Sequence, residues 1–225
     1  MQFLNSPNGD TCWYNEQQKK PFIKEVFVIN LDKSKDRLEK FTKQAQQANV
    51  VFTRWRAVDG STVNKNAWLD LGVSIWSLEN VTKKRLGEFG CFLSHKSLWT
   101  HLSKQPFNDT TAYLILEDDA MFEPLFSQKL LEAMQQLPAD WDIFFIGCSD
   151  AGFSSKGTVA RLKNFSGTYA YIIRARSLAK ILPYFFLIGE PVDTTMNRIL
   201  SIFNIYGMPT PLIKPDYSTK STIVG

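Results

Sequence analysis

The feature that most constrains the fold of this chain is a short apolar run that leads directly into three acids. Tyr113 to Leu116 are aromatic or aliphatic, and Glu117, Asp118 and Asp119 follow without a break. Such a run is typical of a buried strand in a layered α/β sheet. Burying three adjacent carboxylates unpaired is costly, and ligands bind at the carboxyl ends of strands in open α/β sheets. The run therefore predicts a cation site; the alternative is a solvated acidic turn or helix cap.

The first part of the chain has the pattern of a β-α-β unit. Residues 22–31 and 50–58 are apolar runs that predict strands, and the second ends at the turn dipeptide Asp59-Gly60. Between them, apolar residues recur at one helical face over residues 38–48. Since a β-α-β unit joins parallel strands, this opening predicts a parallel sheet.

The rest of the chain continues the α/β pattern. Further strands are predicted over 113–116, 141–147 and 169–173, and helices over 87–103, 125–137, 177–185 and from an N-cap at Asp193. The glycine- and serine-rich stretch 149–168 predicts a long loop. We predict one α/β domain over residues 21–225, with a mostly parallel central sheet flanked by helices. Residues 1–20 show no periodicity and predict an irregular arm.

Composition excludes several classes of protein. The 225 residues carry a formal net charge of +4, which is too mild and dispersed for nucleic-acid binding but suits an anionic substrate or membrane surface. Cys12, Cys91 and Cys148 are odd in number and lack a CxxC pair, which argues against disulfides or structural zinc. No leader pattern or run of about 18 apolar residues occurs. We expect a cytoplasmic protein, with peripheral contact at the inner face of the cytoplasmic membrane possible on charge grounds.

The chemistry of the three acids favours a metal site. On a strand, Glu117 and Asp119 would point to one side, with Asp118 opposite unless the chain has already turned. Two carboxylates suit Mg²⁺ or Mn²⁺, which neutralises charge on a departing phosphate. Glycosidase carboxylates flank the substrate and usually come from different elements. The chain also lacks the Gly-rich phosphate loops and the Gly-x-Ser-x-Gly elbow of kinases, dinucleotide oxidoreductases and serine hydrolases.

Other polar residues have an ordinary and a functional interpretation. His95 and His101 are six residues apart, so they do not share a helix face as paired metal ligands would. The default interpretation of each is a packed or capping histidine, and the functional alternative is a lone site residue. Asp193 is either an N-cap or a general base. Asp59 is either a turn residue or a carboxylate beside a bound nucleotide.

Taken together, the motifs resemble glycosyltransferase family 25, which includes bacterial lipopolysaccharide and lipooligosaccharide galactosyltransferases and is related to collagen galactosyltransferases. The ordered matches cover nearly the whole chain, from about residue 24 to 223. They comprise 28–32 with Asp36 and Arg37, 57–60, 87–95, 114–119, Trp141-Asp142, 167–171, 191–193 and 221–223. One departure is Tyr169, where the family often has histidine, so a role for that imidazole is in doubt here.

The resemblance implies a GT-A-like fold, a UDP-sugar donor (commonly UDP-galactose) and an acidic motif of the DxD type. It places Asn30, Leu31, Arg37, Asp59, Gly87 and Asp118 around the nucleotide, Glu117 and Asp119 at the Mn²⁺ or Mg²⁺ ion, and Glu88, His95 and Asp193 in catalytic positions, with Asp193 as the general base. The predicted reaction is inverting transfer of galactose to a sugar hydroxyl of lipooligosaccharide. A retaining enzyme, a metal-dependent phosphohydrolase of an activated sugar and a non-catalytic sugar-nucleotide-binding module are the alternatives.

Overall fold

A computed structural model describes residues 22–74 and 81–218 of the chain. The strands are β1 Phe22–Asn30, β2 Thr53–Arg56, β3 Thr111–Glu117, β4 Ala120–Phe122, β5 Ile143–Phe153, β6 Ala160–Arg174, β7 Ile205–Gly207 and β8 Ile213–Pro215. The α-helices are α1 Lys35–Gln47, α2 Lys65–Asp70, α3 Lys83–Leu102, α4 Phe126–Met134, α5 Ala175–Ile181 and α6 Val192–Arg198. The predicted arm at 1–20, the apolar residues of segment 75–80 and the motif at 221–223 lie outside the described residues.

Six strands form the central sheet in the order β2-β1-β3-β6-β5-β7. β1 pairs with β2 and β3 in parallel, and β5 pairs with β7 in parallel, whereas β6 is antiparallel to β3, β5 and β7. Within this sheet β6 therefore runs against the other strands. The prediction of a mostly parallel α/β sheet flanked by helices is confirmed.

Alternation along the strands divides the core into two layers. Odd-numbered strand residues such as Ile115 and Phe145 pack with α3, α5 and α6, whereas even-numbered residues such as Leu114 and Phe144 pack with α1 and α4. Successive side chains of a strand point to opposite faces of the sheet. Apolar residues at both parities therefore bury both faces, as expected for a sheet covered by helices on each side.

The predicted loop over 149–168 is wrong, because this stretch is an extended β5–β6 hairpin. β5 continues to Phe153 and β6 begins at Ala160, with several shifts in register between them. A Cβ at Gly152 would lie 2.1 Å from the Asn164 Oδ1 atom, and Asp150 has a φ of 47°. The polar and glycine residues that suggested a loop instead occupy an irregular, bulged hairpin.

Two helix boundaries also differ from the predictions. Helix α3 begins at Lys83, before the predicted Gly87, because the Thr82 hydroxyl accepts a hydrogen bond from the backbone N–H of Arg85. Helix α6 has Pro191 at its N-cap, so Asp193 lies in the first turn and is not the cap. None of the helices in the described ranges is both long and apolar enough to cross a membrane.

Candidate active site

The three acids lie where β3 ends, and they are divided between the two faces of the sheet. β3 ends at Glu117, and Asp118 and Asp119 form the turn that follows. Glu117 continues the odd-numbered face, which packs against α3, and Asp118 turns towards α1. Side chains therefore alternate between the two faces of the sheet as far as Glu117. Asp119 lies on the same side as Asp118, and not on the side of Glu117 as predicted, because the chain has already left the strand.

Arg37 of α1 holds the two turn acids together. Its Nη2 atom lies 2.5 Å from Asp118 Oδ1 and 2.8 Å from Asp119 Oδ2. Asn30, the last residue of β1, donates from Nδ2 to Asp118 Oδ2 at 2.7 Å and accepts from Arg54 Nε at 2.8 Å. One guanidinium and one buried amide thus orient the turn, and the predicted residues Asn30, Arg37, Asp118 and Asp119 form one contiguous cluster.

One carboxylate oxygen in this cluster lacks a partner. Asp119 Oδ1 is buried and accepts no hydrogen bond from the described residues. Burial, the charge of Glu117 and the charge of Asp118 together raise the pKa of Asp119 to about 7, against the opposing effect of Arg37. Burial likewise raises the pKa of Asp118. A divalent cation would supply the missing partner for Oδ1 and offset the repulsion, so these residues fit a hard metal ion.

Glu117 lies in a different environment from the two turn acids. Its Oε1 atom accepts a hydrogen bond from the Thr168 hydroxyl at 3.0 Å and lies 3.3 Å from Nε2 of the fully buried His95. Burial opposes ionisation, but the interactions with His95, Thr168 and Arg37 outweigh it and lower the pKa of Glu117. The site therefore contains one carboxylate held in the ionised form beside another, Asp119, that titrates near neutrality.

Cys91 is a site residue that the sequence analysis did not select. Its thiol, a ring nitrogen of His95 and a carboxylate oxygen of Glu117 all lie within 4.8 Å of one another. Burial and then the charges of Glu117, Asp193 and Asp119 raise the pKa of Cys91 well above its ordinary value. The sequence feature that could have identified Cys91 is its four-residue spacing from His95, which puts both residues on one face of a helix.

Asp193 reaches the same neighbourhood from α6. Its Oδ2 atom accepts from the backbone N–H of Gly167 at 2.8 Å, and its Oδ1 atom accepts from the N–H of Thr194 at 2.8 Å. Gly167 has a φ of 75°, a conformation that favours glycine, and this brings its N–H to the carboxylate. The charge of Asp193 raises the pKa of Cys91, as do the charges of Glu117 and Asp119.

The Asp59-Gly60 turn packs directly on α3. Asp59 Oδ2 lies 2.5 Å from Lys33 Nζ, and Oδ1 accepts from the N–H of Ser61, which caps a short 3₁₀ turn. Burial raises the pKa of Asp59, but the interactions with Lys33 and Ser61 outweigh burial and lower the pKa below its ordinary value. A Cβ on Gly90 would lie 2.6 Å from Val58 O, so the turn and the helix meet backbone to backbone. Asp59 is thus a turn cap that also holds a lysine from the loop after β1.

The remaining predicted residues make no side-chain hydrogen bond or ion pair with the three acids among the described residues. Glu88 Oε2 pairs with Arg85 Nη1 at 3.0 Å, and the same guanidinium donates to the carbonyl of Gly189. Gly87 precedes Glu88 on α3, and the Leu31 carbonyl closes the turn at Ser34. Arg85 therefore links α3 to the loop that leads into α6, which carries Asp193, and Glu88 pairs with Arg85 within α3.

Tyr169 occupies a position at which the family that the sequence resembles often has histidine. Its side chain is buried, and the interaction with Ser149 favours ionisation of the phenol but does not outweigh burial. Burial raises its pKa, and the nearby charge of Asp119 adds to the effect. A neutral phenol thus lies within electrostatic reach of the acidic turn and offers no titratable group at neutral pH.

Comparison with known proteins identifies the family. A family model described as "Glycosyltransferase family 25 (LPS biosynthesis protein)" matches residues 23–160, which is more than half of the chain. The chain belongs to glycosyltransferase family 25. The matched segment contains Asn30, Arg37 and the whole acidic turn, and the predicted family resemblance is confirmed.

Several curated relatives are similar to this family 25 chain. A Drosophila melanogaster protein named glycosyltransferase 25 family member is 28% identical over 198 residues, covering 80% of this chain and 31% of that protein. Human procollagen galactosyltransferase 2 is 32% identical over 133 residues, covering 55% and 20% respectively. Human inactive glycosyltransferase 25 family member 3 is 30% identical over 174 residues, covering 70% and 28%. The chain thus spans about a third or less of the length of these relatives, and both active and inactive names occur among them.

Proposed function

We propose that this chain is a glycosyltransferase that moves a hexose, galactose, from a UDP-sugar to a sugar hydroxyl of lipooligosaccharide or lipopolysaccharide. The observation that carries the proposal is the acidic turn after β3, in which Asp119 Oδ1 is buried without a partner beside Arg37 and Asp118. This repulsive arrangement is costly by itself, and a bound divalent cation with its diphosphate ligand would offset the cost. The family and the galactosyltransferase names of its relatives support the same activity.

The donor site is proposed at the edge of the sheet where β1, β2 and β3 end. These three strands are parallel neighbours, so Asn30 with Leu31, the Asp59 turn and the acidic turn lie at one edge. Asp119 and Glu117 would hold Mn²⁺ or Mg²⁺, and the bound ion would offset the negative charge that develops on the departing UDP. Arg37 and Asn30 keep the acidic turn in place before the donor arrives. Asp118 is held between them and would face the nucleotide, as would Gly87.

The general base is proposed to be Asp193. Both of its oxygens accept a backbone N–H, which fixes the carboxylate while leaving each oxygen a further lone pair. As the acceptor hydroxyl attacks the anomeric carbon, its proton passes to Asp193 and the bond between that carbon and the UDP oxygen breaks. The direct displacement inverts the anomeric centre and gives a β linkage. Glu88 is proposed to border the acceptor side, since it pairs with Arg85, whose guanidinium contacts the loop before α6.

The proposed acceptor also sets the proposed location. Lipooligosaccharide is anchored in a membrane, so the enzyme would work in the cytoplasm at the inner membrane face, in keeping with its net charge of +4. No nucleic acid is proposed as a partner, because this charge is small and dispersed.

Release of UDP tests the proposal. Full-length protein is incubated with Mn²⁺ and a panel of UDP-hexoses, either alone, with extracted lipooligosaccharide, or with a collagen peptide acceptor. We expect UDP release from UDP-galactose that depends on lipooligosaccharide, and loss of release in Asp119→Ala. The matched control is Asp70→Asn, which removes an exposed carboxylate on α2 and keeps wild-type activity.

Each alternative gives a different result in this assay. Full-rate release without any acceptor would identify a phosphohydrolase of activated sugars. Donor binding without product from any acceptor would identify a binding module. Release that depends on the collagen peptide alone would retain the glycosyltransferase and replace the acceptor. An Asp119→Ala protein with unchanged activity would overturn the proposed role of the acidic turn.

A further inference from the structure

A chain of buried hydrogen bonds leads from the core to Glu117. Trp99 Nε1 donates to the Tyr171 hydroxyl oxygen at 2.8 Å, and that oxygen lies 2.7 Å from His95 Nδ1. On the other side of the imidazole, Nε2 lies 3.3 Å from Glu117 Oε1 and 3.3 Å from the Thr168 hydroxyl oxygen. Trp99, Tyr171 and His95 are fully buried, so water does not compete for these groups.

Counting the protons gives the chain a direction. The indole Nε1–H is a donor only, so Tyr171 accepts from Trp99 and has one hydroxyl proton of its own to donate. Among the described residues, the only other partner of that hydroxyl is His95 Nδ1. Tyr171 therefore donates to Nδ1, and the remaining imidazole proton lies on Nε2, which faces the Glu117 carboxylate. The opposite tautomer would bury the tyrosine proton without an acceptor, which costs about 1–3 kcal/mol.

His95 and Glu117 could instead belong to a metal site together with Cys91. Cys91, His95 and Glu117 offer sulfur, nitrogen and oxygen within 4.8 Å, a ligand set that suits Zn²⁺. A metal on His95 would need the lone pair of Nε2, the atom that carries the proton in the fully satisfied network. Binding would thus reverse the tautomer and leave the Tyr171 hydroxyl proton without its acceptor, so the geometry favours the hydrogen-bonded form.

We propose that Trp99 and Tyr171 are positioning residues that fix His95 as the Nε2–H tautomer and, through it, hold Glu117 at the end of β3. His95 is then a donor to Glu117, and it is not a general acid or base. The Thr168 hydroxyl donates to the same Oε1 atom at 3.0 Å, so interior donors approach one oxygen of Glu117 and leave Oε2 for a ligand. The role of Glu117 in catalysis rests on the proposed function. The assignment of the His95 tautomer does not, because it follows from the hydrogen bonds alone.

Nitrogen NMR of the imidazole tests the tautomer directly. The chain has two histidines, so a long-range ¹H–¹⁵N correlation spectrum of the full protein labelled at histidine contains two ring systems, and His101→Gln assigns them. We expect a protonated Nε2 and an unprotonated Nδ1 for His95, and a mixture of tautomers in Tyr171→Phe. A wild-type spectrum with a protonated Nδ1, or a tautomer unaffected in Tyr171→Phe, would overturn the proposal. Loss of the Nε2 proton on adding one equivalent of Zn²⁺, abolished by Cys91→Ser, would establish the metal site instead.

Binding of Mn²⁺ to the protein without donor tests the positioning role. Mutation of groups that orient a metal ligand costs about 10- to 100-fold in metal affinity. We expect such a loss in His95→Leu, measured as free Mn²⁺ by electron paramagnetic resonance, and recovery in His95→Gln, whose amide keeps an N–H for Glu117. Equal affinities in the two variants would refute a positioning role. An absence of Mn²⁺ binding in the wild type would contradict the metal in the proposed function while leaving the NMR result to decide the tautomer.

Discussion

Replacing Asp119 by asparagine is expected to stabilise the protein while abolishing transfer. The folded state raises the pKa of this carboxyl from 3.8 to about 7, so between these values the folded protein binds more protons than the unfolded chain. Wild-type stability therefore falls as the pH rises through this window and levels off above it. At about 1.36 kcal/mol per pKa unit, the raised pKa of Asp119 costs the fold about 4 kcal/mol at pH 8, where the carboxyl is ionised, and about 2 kcal/mol at pH 5, where folding requires its protonation.

Urea unfolding of wild type and Asp119→Asn, with EDTA present, measures the effect. The free energy of unfolding of the variant, relative to wild type, should be roughly 2 to 3 kcal/mol larger at pH 8 than at pH 5. Asp70→Asn, which removes an exposed acid, should show no such trend. In Mn²⁺ at about 100 times its dissociation constant, wild type and Asp70→Asn should each gain about 2.7 kcal/mol, whereas Asp119→Asn should not. A difference between the proteins that does not change with pH would refute the argument.

Three further predictions follow from the contacts at the site. Arg37→Met leaves two carboxylates uncompensated and should lower the free energy of unfolding by about 3 kcal/mol at pH 8, with a smaller loss at pH 5, where Asp119 is protonated. Gly90→Ala pushes a methyl group against Val58 O and should cost about 1–3 kcal/mol in thermal unfolding, whereas Gly157→Ala meets no atom closer than 3.5 Å and should be neutral. Asp193→Asn should lower kcat about 10²- to 10⁴-fold with KM for the donor unchanged.

Each of these has a clear contradicting result. A loss in Arg37→Met that is equal at both pH values would show that Asp119 does not titrate near neutrality. Equal melting temperatures for the two glycine variants would show that the contact between the Asp59 turn and α3 is not close. A rise in KM for the donor with unchanged kcat in Asp193→Asn would assign that residue to binding and remove it from proton transfer.

The sequence predicts the strand and the acids well because both depend on neighbours in the chain. The apolar run before Glu117 and the β-α-β opening are local patterns, and the structure has these elements near the predicted places. The sides taken by Glu117 and Asp118 are harder to predict. A strand buried on both faces shows no apolar-polar alternation, so nothing local tells which face meets α3 and which meets α1.

Contacts between distant segments account for what sequence reasoning missed. The β5–β6 hairpin depends on pairing across a bulged register, which glycine and serine content alone cannot reveal. Thr168 reaches Glu117 because β6 crosses the sheet beside β3. Cys91 was passed over because the cysteines were assessed as pairs, although its spacing from His95 was visible in the sequence.

The two-sided arrangement of the acids has a consequence for comparing members of the family. The family match ends at residue 160, yet Thr168, Tyr171 and Asp193 complete the α3 side of the site from beyond it. A protein can therefore retain the whole matched segment, including the acidic turn, and still lack the proposed general base and the residues that contact Glu117 and His95. To judge whether a relative is an enzyme or an inactive homologue, the residues that correspond to Thr168, Tyr171 and Asp193 should be compared as well as the acidic turn.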